Sequence, residues 1–144
     1  MQIREILTLK SDDIHTIAPT ETVEAAVGKL VGLGVGSLVV MQGGEMMGLL
    51  TERDVVKGLA QHGCNLKDTP VSRIMVTEPV VASADDSVDY ARDVMTKSHI
   101  GHLPILDGNT LLGIISFHDV ARACLKEANF ENSLLKRYIK HWPE

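Results

Sequence analysis

Apolar residues follow the same helical spacing in each half of the chain. Runs at three- and four-residue spacing predict an amphipathic helix in both places. In the first half the run comprises Val23, Ala26, Val27, Leu30 and Val31. In the second half it comprises Val88, Ala91, Val94 and Met95. A short apolar segment, "IHTIA" or "VVAS", precedes each helix and predicts a strand.

Two further apolar segments follow each helix and predict a β-hairpin. They are "SLVVM" and "MMGLL" around Gly43-Gly44, and "LPIL" and "LLGII" around Asp107-Gly108, both favoured turn dipeptides. A second helix begins near Glu52 in the first half and near Phe117 in the second. Gly63 is placed to end the first of these helices. Each half therefore predicts the order β-α-β-β-α.

The two halves are copies of one unit. Asp54 and Asp119 lie 65 residues apart, and the same offset aligns Gly48 with Gly113 without a gap. The lead-ins "REIL" and "SRIM" are 68 residues apart, so the first copy has three extra residues, which we place in the polar "KSDD" at 10–13. We predict an α/β (α+β) fold with repeats at 1–65 and 66–128, because two small sheets must pack together, about a pseudo-twofold axis, to bury their apolar faces.

A third amphipathic stretch follows the second repeat. It predicts a C-terminal helix over residues 129–144 with an apolar stripe. The stripe consists of Phe130, Leu134, Leu135, Tyr138, Ile139 and Trp142. Such a helix covers either its own domain or a second subunit.

Composition restricts the partners. The chain has 144 residues, 44% of them hydrophobic, which is enough for a folded core. A net charge of −5 provides no basic field, so we expect neither nucleic acid nor a membrane surface as a partner. The start of the chain lacks a cleavage pattern, and the two cysteines lie outside any CxxC spacing, so we expect a cytoplasmic protein with reduced thiols.

The segments "GLLTERDVV" (48–56) and "GIISFHDVA" (113–121) carry the candidate chemistry. Taken singly, Thr51 with Asp54 and Ser116 with Asp119 have the spacing of a capping box, which needs no ligand. Taken together, they place two helix starts, each with free backbone N–H groups and a hydroxyl, beside two strand ends, where an anion binds. The carboxylates of Asp54 and Asp119 are suited to accept hydrogen bonds from a vicinal diol. Phosphate and diol together indicate a nucleotide.

The residues inside each motif are unequal. Arg53 can make a bidentate contact to phosphate, whereas His118 at the matching position makes a weaker, pH-dependent one. The first motif is therefore better equipped for phosphate.

With these motifs, the chain resembles a stand-alone pair of CBS domains, from residue 3 to about 125. The resemblance implies a non-catalytic regulatory module with two clefts between the repeats for adenosine-containing ligands, namely AMP first, then ADP, ATP or NAD, or S-adenosylmethionine. It assigns Thr51, Asp54, Ser116 and Asp119 to ribose and phosphate. For adenine it assigns backbone and apolar groups of the other repeat, namely Val35, Gly36 and Ser37 in one cleft, and Ile100, Gly101 and His102 in the other.

The resemblance also implies a homodimer acting on an unknown protein target. Two positions depart from the family pattern, since Gly101 replaces a basic residue and Phe117 a smaller one. These departures argue against equal occupancy of the two clefts.

Other functions have less support in the sequence. His99 with His102, and His62 with Cys64, lack the further ligands of a zinc site, so we expect no metal. Neither Cys64 nor Ser116 has a visible base, so we expect no enzyme and no catalytic cofactor. The alternative is a module that docks or dimerises through its helices with unoccupied clefts, for which the cation of Arg53 would be unnecessary.

Overall fold

The computed structural model describes residues 1–10, 13–63 and 65–140, without the side chains of 138–140. Its elements are α1 (Ile3–Leu9), β1 (Thr16–Ile17), α2 (Val23–Leu33), β2 (Ser37–Gln42), β3 (Glu45–Thr51), α3 (Glu52–His62), a 3-10 turn (Val71–Arg73), β4 (Ala82–Ser83), α4 (Val88–Ser98), β5 (His102–Asp107), β6 (Thr110–Ser116) and α5 (Phe117–Lys140). The predicted α/β class and the doubled β-α-β-β-α order are confirmed.

The chain divides into two compact units. We call Asp12–Val81 the first unit, and Met1–Ser11 together with Ala82–Glu144 the second unit. Each contains a three-stranded sheet, ordered β1-β2-β3 in the first unit and β4-β5-β6 in the second. In both sheets the short first strand runs parallel to the central one, and the hairpin partner runs antiparallel to it.

One face of each sheet packs on the helices of its own unit. In the first unit Leu38, Val40 and Leu50 from the hairpin are fully buried with Val23 and Ala26 from α2. In the second unit the matching group is Leu103, Ile105, Ile115, Val88 and Ala91. These are the apolar positions that the sequence pattern assigns to the core.

The units and the sequence repeats do not share boundaries. α1 lies at the start of the predicted first repeat, yet its Ile3 and Ile6 are buried in the core of the second unit. The lead-in of the second repeat, with Val71 and Ile74, packs instead in the first unit. Each unit therefore includes the lead-in segment of the other repeat.

The lead-in of the first unit pairs with the sheet edge. The N–H of Val76 donates to the Leu49 carbonyl at 2.9 Å, and the N–H of Leu49 donates to the Val76 carbonyl at 3.0 Å. A Cβ at Gly48 would clash with this Val76 carbonyl oxygen. At the matching Gly113 the nearest atom is a side-chain methyl, Cδ2 of Leu7, 3.0 Å from the position of a Cβ. Only the first unit therefore brings backbone against its hairpin glycine.

The first hairpin turns where the sequence predicts, and the second turns one residue later. Gly43 and Gly44 both have positive φ and connect the paired residues Gln42 and Glu45. In the second hairpin Asp107 is still in β5, paired with Thr110. The loop is therefore Gly108-Asn109, and the assignment to Asp107-Gly108 is wrong by one residue, because the hairpin pairing extends through Asp107.

Helix ends follow the predicted signals, with one addition. α3 ends at Gly63, which has φ of 82°, as predicted. α2 ends at Gly34 in the left-handed region, and the matching residue at the end of α4 is His99, with φ of 53°. A histidine therefore occupies a backbone conformation that favours glycine.

The C-terminal helix is a continuation of α5. The helix that begins at Phe117 runs for 24 residues to Lys140, with no break near residue 128. Phe130, Leu134 and Leu135 are exposed. The side chains of Tyr138 and Ile139, and residues 141–144 with Trp142, lie outside what the structure describes.

Candidate functional site

The first helix start joins β3 to α3 at Thr51. The Asp54 carboxylate accepts the Thr51 N–H and the Thr51 hydroxyl through Oδ2, each at 2.8 Å. In return the Asp54 N–H donates to Thr51 Oγ1 at 3.3 Å. This reciprocal arrangement confirms the capping box and fixes the orientation of the half-buried Asp54 carboxylate.

The second helix start joins β6 to α5 at Ser116 with the same reciprocal geometry. The Ser116 N–H donates to Asp119 Oδ2 at 2.8 Å, and the Asp119 N–H donates to Ser116 Oγ at 3.1 Å. A third donor is present here, because Lys10 Nζ donates to the same Asp119 Oδ2 at 2.7 Å. The two helix starts therefore share a scaffold and differ in their cation.

Lys10 is held at a second point. Its Nζ also donates to the carbonyl oxygen of Ile114 at 2.8 Å. Ile114 matches Leu49 at the repeat offset, and the Leu49 carbonyl is satisfied by the backbone N–H of Val76. An ammonium group in the second unit thus occupies the place of a backbone donor in the first.

The charge on Asp119 is stabilised despite burial. Burial raises the pKa of this carboxyl. The hydrogen bonds from Lys10 and from the Ser116 N–H, together with the charge of Lys10, lower the pKa by more than burial raises it. The pKa of Asp119 is therefore below its ordinary value. Asp119 is therefore an anion at neutral pH.

The sequence gives no signal for Lys10. It lies 109 residues before Asp119, at the start of the three-residue insertion. Only the packing of α1 in the second unit brings the two together.

At each of the two helix starts, two of the backbone N–H groups that the sequence pattern assigns to an anion already donate hydrogen bonds within the protein. The Glu52 N–H donates to the Gly36 carbonyl at 3.1 Å, and the Phe117 N–H donates to the Gly101 carbonyl at 2.8 Å. The N–H groups of Asp54 and Asp119 are taken by the cap hydroxyls. The prediction of free amides is wrong at these four positions, because the preceding loop and the cap satisfy them.

The residues assigned to adenine lie beside the helix start of their own unit. Ser37 pairs with Thr51 across the first hairpin, and His102 pairs with Ser116 across the second. The glycine carbonyls of Gly36 and Gly101 extend this contact to α3 and α5. Val35 and Ile100 precede them in the same loops, and the contact of all these residues with adenine stays a prediction.

A pocket of about 470 Å³ opens next to the first helix start. Apolar side chains of α2 and α3 line it, together with Val35, Gly36 and Glu52. Its volume lies within the range of about 300–1,000 Å³ that small-molecule sites occupy. Glu52 and Val55, the neighbours of the Arg53-Asp54 pair in the chain, both line this pocket.

Larger side chains occupy the matching positions of the second unit. At the offset of 65 residues, Val27, Gly34 and Glu52 correspond to Arg92, His99 and Phe117. Phe117 is 45% exposed, so its ring projects beside the second helix start instead of entering the core. At these three positions a flat apolar group would therefore meet larger side chains in the second unit than in the first.

The two predicted phosphate contacts are both on the surface. Arg53 and His118 are exposed. His118 Nε2 lies 2.8 Å from an Arg122 guanidinium nitrogen one helical turn further along α5. Phosphate binding by Arg53 and His118 stays a prediction.

No metal centre is visible in the part of the chain that the structure describes. Among those residues, no group of three or more His, Cys, Asp or Glu side chains is placed to hold an ion. Cys124 is a free, half-buried thiol, whereas Cys64 lies outside the described residues.

The resemblance to CBS domains is confirmed by comparison with known proteins. The family model for the CBS domain matches residues 3–61 and, a second time, residues 71–126. The CBS domain-containing protein YhcV of Bacillus subtilis is 33% identical over 108 residues, which cover 75% of this chain and 76% of YhcV.

Solved structures have the same fold. A CBS-domain containing protein from Agrobacterium tumefaciens superposes with a TM-score of 0.82 at 31% identity, over 85% of this chain and 98% of that one. The CBS domain pair of protein MJ0100, solved in complex with 5′-methylthioadenosine and S-adenosyl-L-methionine, superposes with a TM-score of 0.77 at 23% identity, over 88% of this chain and 98% of that one. Within the described residues, every helix is too short or too polar to cross a membrane.

Proposed function

This chain belongs to the CBS domain family, and from that premise we propose that it is a non-catalytic sensor of adenosine-containing nucleotides, with AMP as the first ligand and ADP, ATP or NAD after it. CBS pairs are regulatory modules that often bind adenosine ligands, as the pair of protein MJ0100 does. The proposal places the protein in the cytoplasm, with its output through a separate protein target.

The observation that carries the proposal is the oriented Asp54 carboxylate at a helix start whose neighbouring residues Glu52 and Val55 line an apolar pocket. Thr51 directs its N–H and hydroxyl to Oδ2 of Asp54, so Oδ1 can accept one ribose hydroxyl directly, and Oδ2 can accept the other when the Thr51 hydroxyl turns away. The adjoining 470 Å³ pocket offers apolar walls and the loop backbone of Val35 and Gly36 to a flat base. A carboxylate for the diol and an apolar slot for the base together fit a nucleoside.

The phosphate is expected at the exposed guanidinium of Arg53, one residue before Asp54. A guanidinium forms two parallel, charge-assisted hydrogen bonds to a phosphate. Because two amides at this helix start are already bonded, the cation matters more for the phosphate than the sequence alone suggests.

The test is a titration of the protein with AMP, ADP, ATP, NAD and S-adenosylmethionine by calorimetry and thermal shift. A ligand at 100 times its Kd adds about 2.7 kcal/mol to the free energy of unfolding. Asp54→Asn keeps the size of the side chain and an acceptor for the Thr51 N–H but removes the negative charge. It should weaken binding by about 10-fold to 100-fold, because a hydrogen bond to a charged group is lost.

The matched control is Glu24→Gln. Glu24 is an exposed acid in the first turn of α2, in the same unit, so it reports the general effect of losing a carboxylate at a helix start. Tight binding unchanged by Asp54→Asn would refute the ribose assignment. A folded protein that binds none of the five ligands at millimolar concentration would refute the sensor.

The exposed apolar stripe on α5 supports docking as a second function, with a homodimer as its first form. Phe130 is 65% exposed, Leu135 56% and Leu134 48%, and every residue of α5 from 128 to 137 is exposed. Leu134→Glu should shift the protein to monomer in sedimentation equilibrium at micromolar concentration. Asn129→Glu, which changes the charge equally at an exposed position on the opposite side of the helix, should leave the mass unchanged.

A further inference from the structure

We propose that Lys10 makes the two helix starts unequal by holding the Asp119 carboxylate, so that ribose diols bind at Thr51-Asp54 first and at Ser116-Asp119 only when Lys10 is displaced. The inference rests on the proposed function and names the residue that sets the order of binding. It concerns the ribose diol that all the proposed ligands share.

The first step is that the two carboxylates lose different hydrogen bonds when a diol binds to both of their oxygens. In the first unit Oδ2 of Asp54 accepts the Thr51 N–H and the Thr51 hydroxyl. That hydroxyl rotates about a single bond, so it can turn away and leave Oδ2 to a ligand. In the second unit Oδ2 of Asp119 accepts the Ser116 N–H and the ammonium of Lys10. A diol that uses both oxygens of Asp119 must therefore displace a charged donor.

The second step is that Lys10 is anchored. Its side chain is 34% exposed and that of Asp119 only 13%, so water screens this ion pair less than a surface pair. The Ile114 carbonyl accepts a second hydrogen bond from the same Nζ. Displacing Lys10 breaks both bonds and leaves the Ile114 carbonyl without this donor.

The third step is that, among the described residues, a lysine bonded to the helix-start aspartate is found in the second unit and not in the first. At the 68-residue offset of the lead-ins, the position that matches Lys10 is Glu78, which is exposed and has the opposite charge. The carbonyl that Lys10 occupies is satisfied in the first unit by the Val76 N–H. In the described structure, the hydrogen bonds of Asp54 come only from Thr51.

The experiment is calorimetric titration of the full chain with adenosine and, separately, with AMP. Native protein should bind adenosine at one site, with any second site at least about tenfold weaker, since a charge-assisted hydrogen bond must be broken there. Lys10→Met should strengthen the second site by about tenfold for both ligands and leave the first unchanged. Lys10→Arg keeps the cation and should behave as native protein.

Lys29→Met is the matched control. Lys29 also donates its Nζ to a backbone carbonyl, that of Thr16, but contacts no carboxylate in the described structure. It should leave both affinities unchanged. Circular dichroism of each variant establishes that it is folded before titration.

Site identity follows from double variants. Against an Asp54→Asn background, in which the first site is weakened by about 10-fold to 100-fold, Lys10→Met should restore about one equivalent of the tighter adenosine binding, and Asp119→Asn should abolish it again. Native binding that Lys10→Met leaves unchanged overturns this inference while the proposed function stands. The inference is also overturned if Lys10→Met binds adenosine more tightly but AMP more weakly than native protein does, because Lys10 would then bind the phosphate. If neither native protein nor Lys10→Met binds adenosine or AMP, the proposed function and this inference both fall.

Discussion

The Thr51 and Ser116 helix starts have the same backbone plan and different electrostatics. Both place an aspartate three residues after the cap, with the cap N–H on Oδ2 of that aspartate at 2.8 Å. The first completes the arrangement with its own hydroxyl, and the second with the ammonium of Lys10. A repeated motif therefore conserves a shape between its two copies while a residue from elsewhere in the chain changes what the shape can bind.

The sheet edges beside the two starts differ in the same way. The first unit closes its edge with the backbone of Val76, and the second uses the side chain of Lys10 on the Ile114 carbonyl. A backbone contact depends on a glycine, whereas a side-chain contact depends on charge. Substitutions at matching positions of the two units should therefore change the free energy of unfolding by unequal amounts.

The largest expected difference is between Gly48→Ala and Gly113→Ala. A Cβ at Gly48 meets the Val76 carbonyl, so Gly48→Ala should lower the free energy of unfolding by about 1–3 kcal/mol. At Gly113 the Cβ meets the end of a flexible Leu7 side chain, and the effect should stay under about 1 kcal/mol. Urea unfolding of both variants measures the difference. Equal losses would contradict the distinction between the two lead-ins.

The next difference concerns the caps. Thr51→Ala and Ser116→Ala should each cost about 1 kcal/mol in unfolding free energy, because an N-cap hydroxyl is lost. The cost should be larger for Thr51→Ala, since the hydroxyl is also a donor to Asp54, whereas Asp119 keeps Lys10. Thr51→Ser preserves the hydroxyl and should recover most of the loss. A larger cost at Ser116 would show that Lys10 does not support that start.

The smallest expected effect is on acid stability. The pKa of Asp119 lies below the ordinary 3.8 in the folded chain, so the unfolded chain takes up this proton at higher pH. The stabilisation is complete above the unfolded pKa and is lost as the pH falls through the folded pKa. Lys10→Met should lower the free energy of unfolding at pH 7 by about 1 kcal/mol or less, because the pair is partly screened by solvent.

This loss should shrink as the pH falls below 3.8 towards the folded pKa of Asp119, because the native protein then loses the same interaction. Urea unfolding of native protein and Lys10→Met at several pH values gives the comparison. For Lys29→Met, the difference in unfolding free energy from native protein should not shrink as the pH falls. A difference between native protein and Lys10→Met that is as large at pH 3 as at pH 7 would contradict the assignment of the ion pair.

The parts of the fold that were predictable from the sequence are those set by residues close together in the chain. The strand and helix periods, the cap at Thr51 and the stop at Gly63 all depend on residues a few positions apart, and all were predicted. The second turn was misplaced because Asp107-Gly108 is a favoured dipeptide in its own right. The repeat offset places Gly108-Asn109 opposite Gly43-Gly44, which is where the structure turns.

The candidate site was predictable only where it is local. Thr51 with Asp54 and Ser116 with Asp119 follow from spacing within one helix turn. The Lys10 contact joins residues 109 positions apart, and no spacing within a single sequence indicates it. The occupied amides of Glu52 and Phe117 likewise depend on how the loops at Gly36 and Gly101 return to the helices.

The burial of α1 in the second unit also affects the order in which the chain can fold during synthesis. Asp12–Val81 is continuous, so the first unit can close as soon as those residues leave the ribosome. Ile3 and Ile6 have their core partners beyond residue 82, and at 5–20 residues per second they wait on the order of ten seconds for them. During that interval the apolar side chains of α1 lack their core partners. The unit that is begun first is therefore the one completed last.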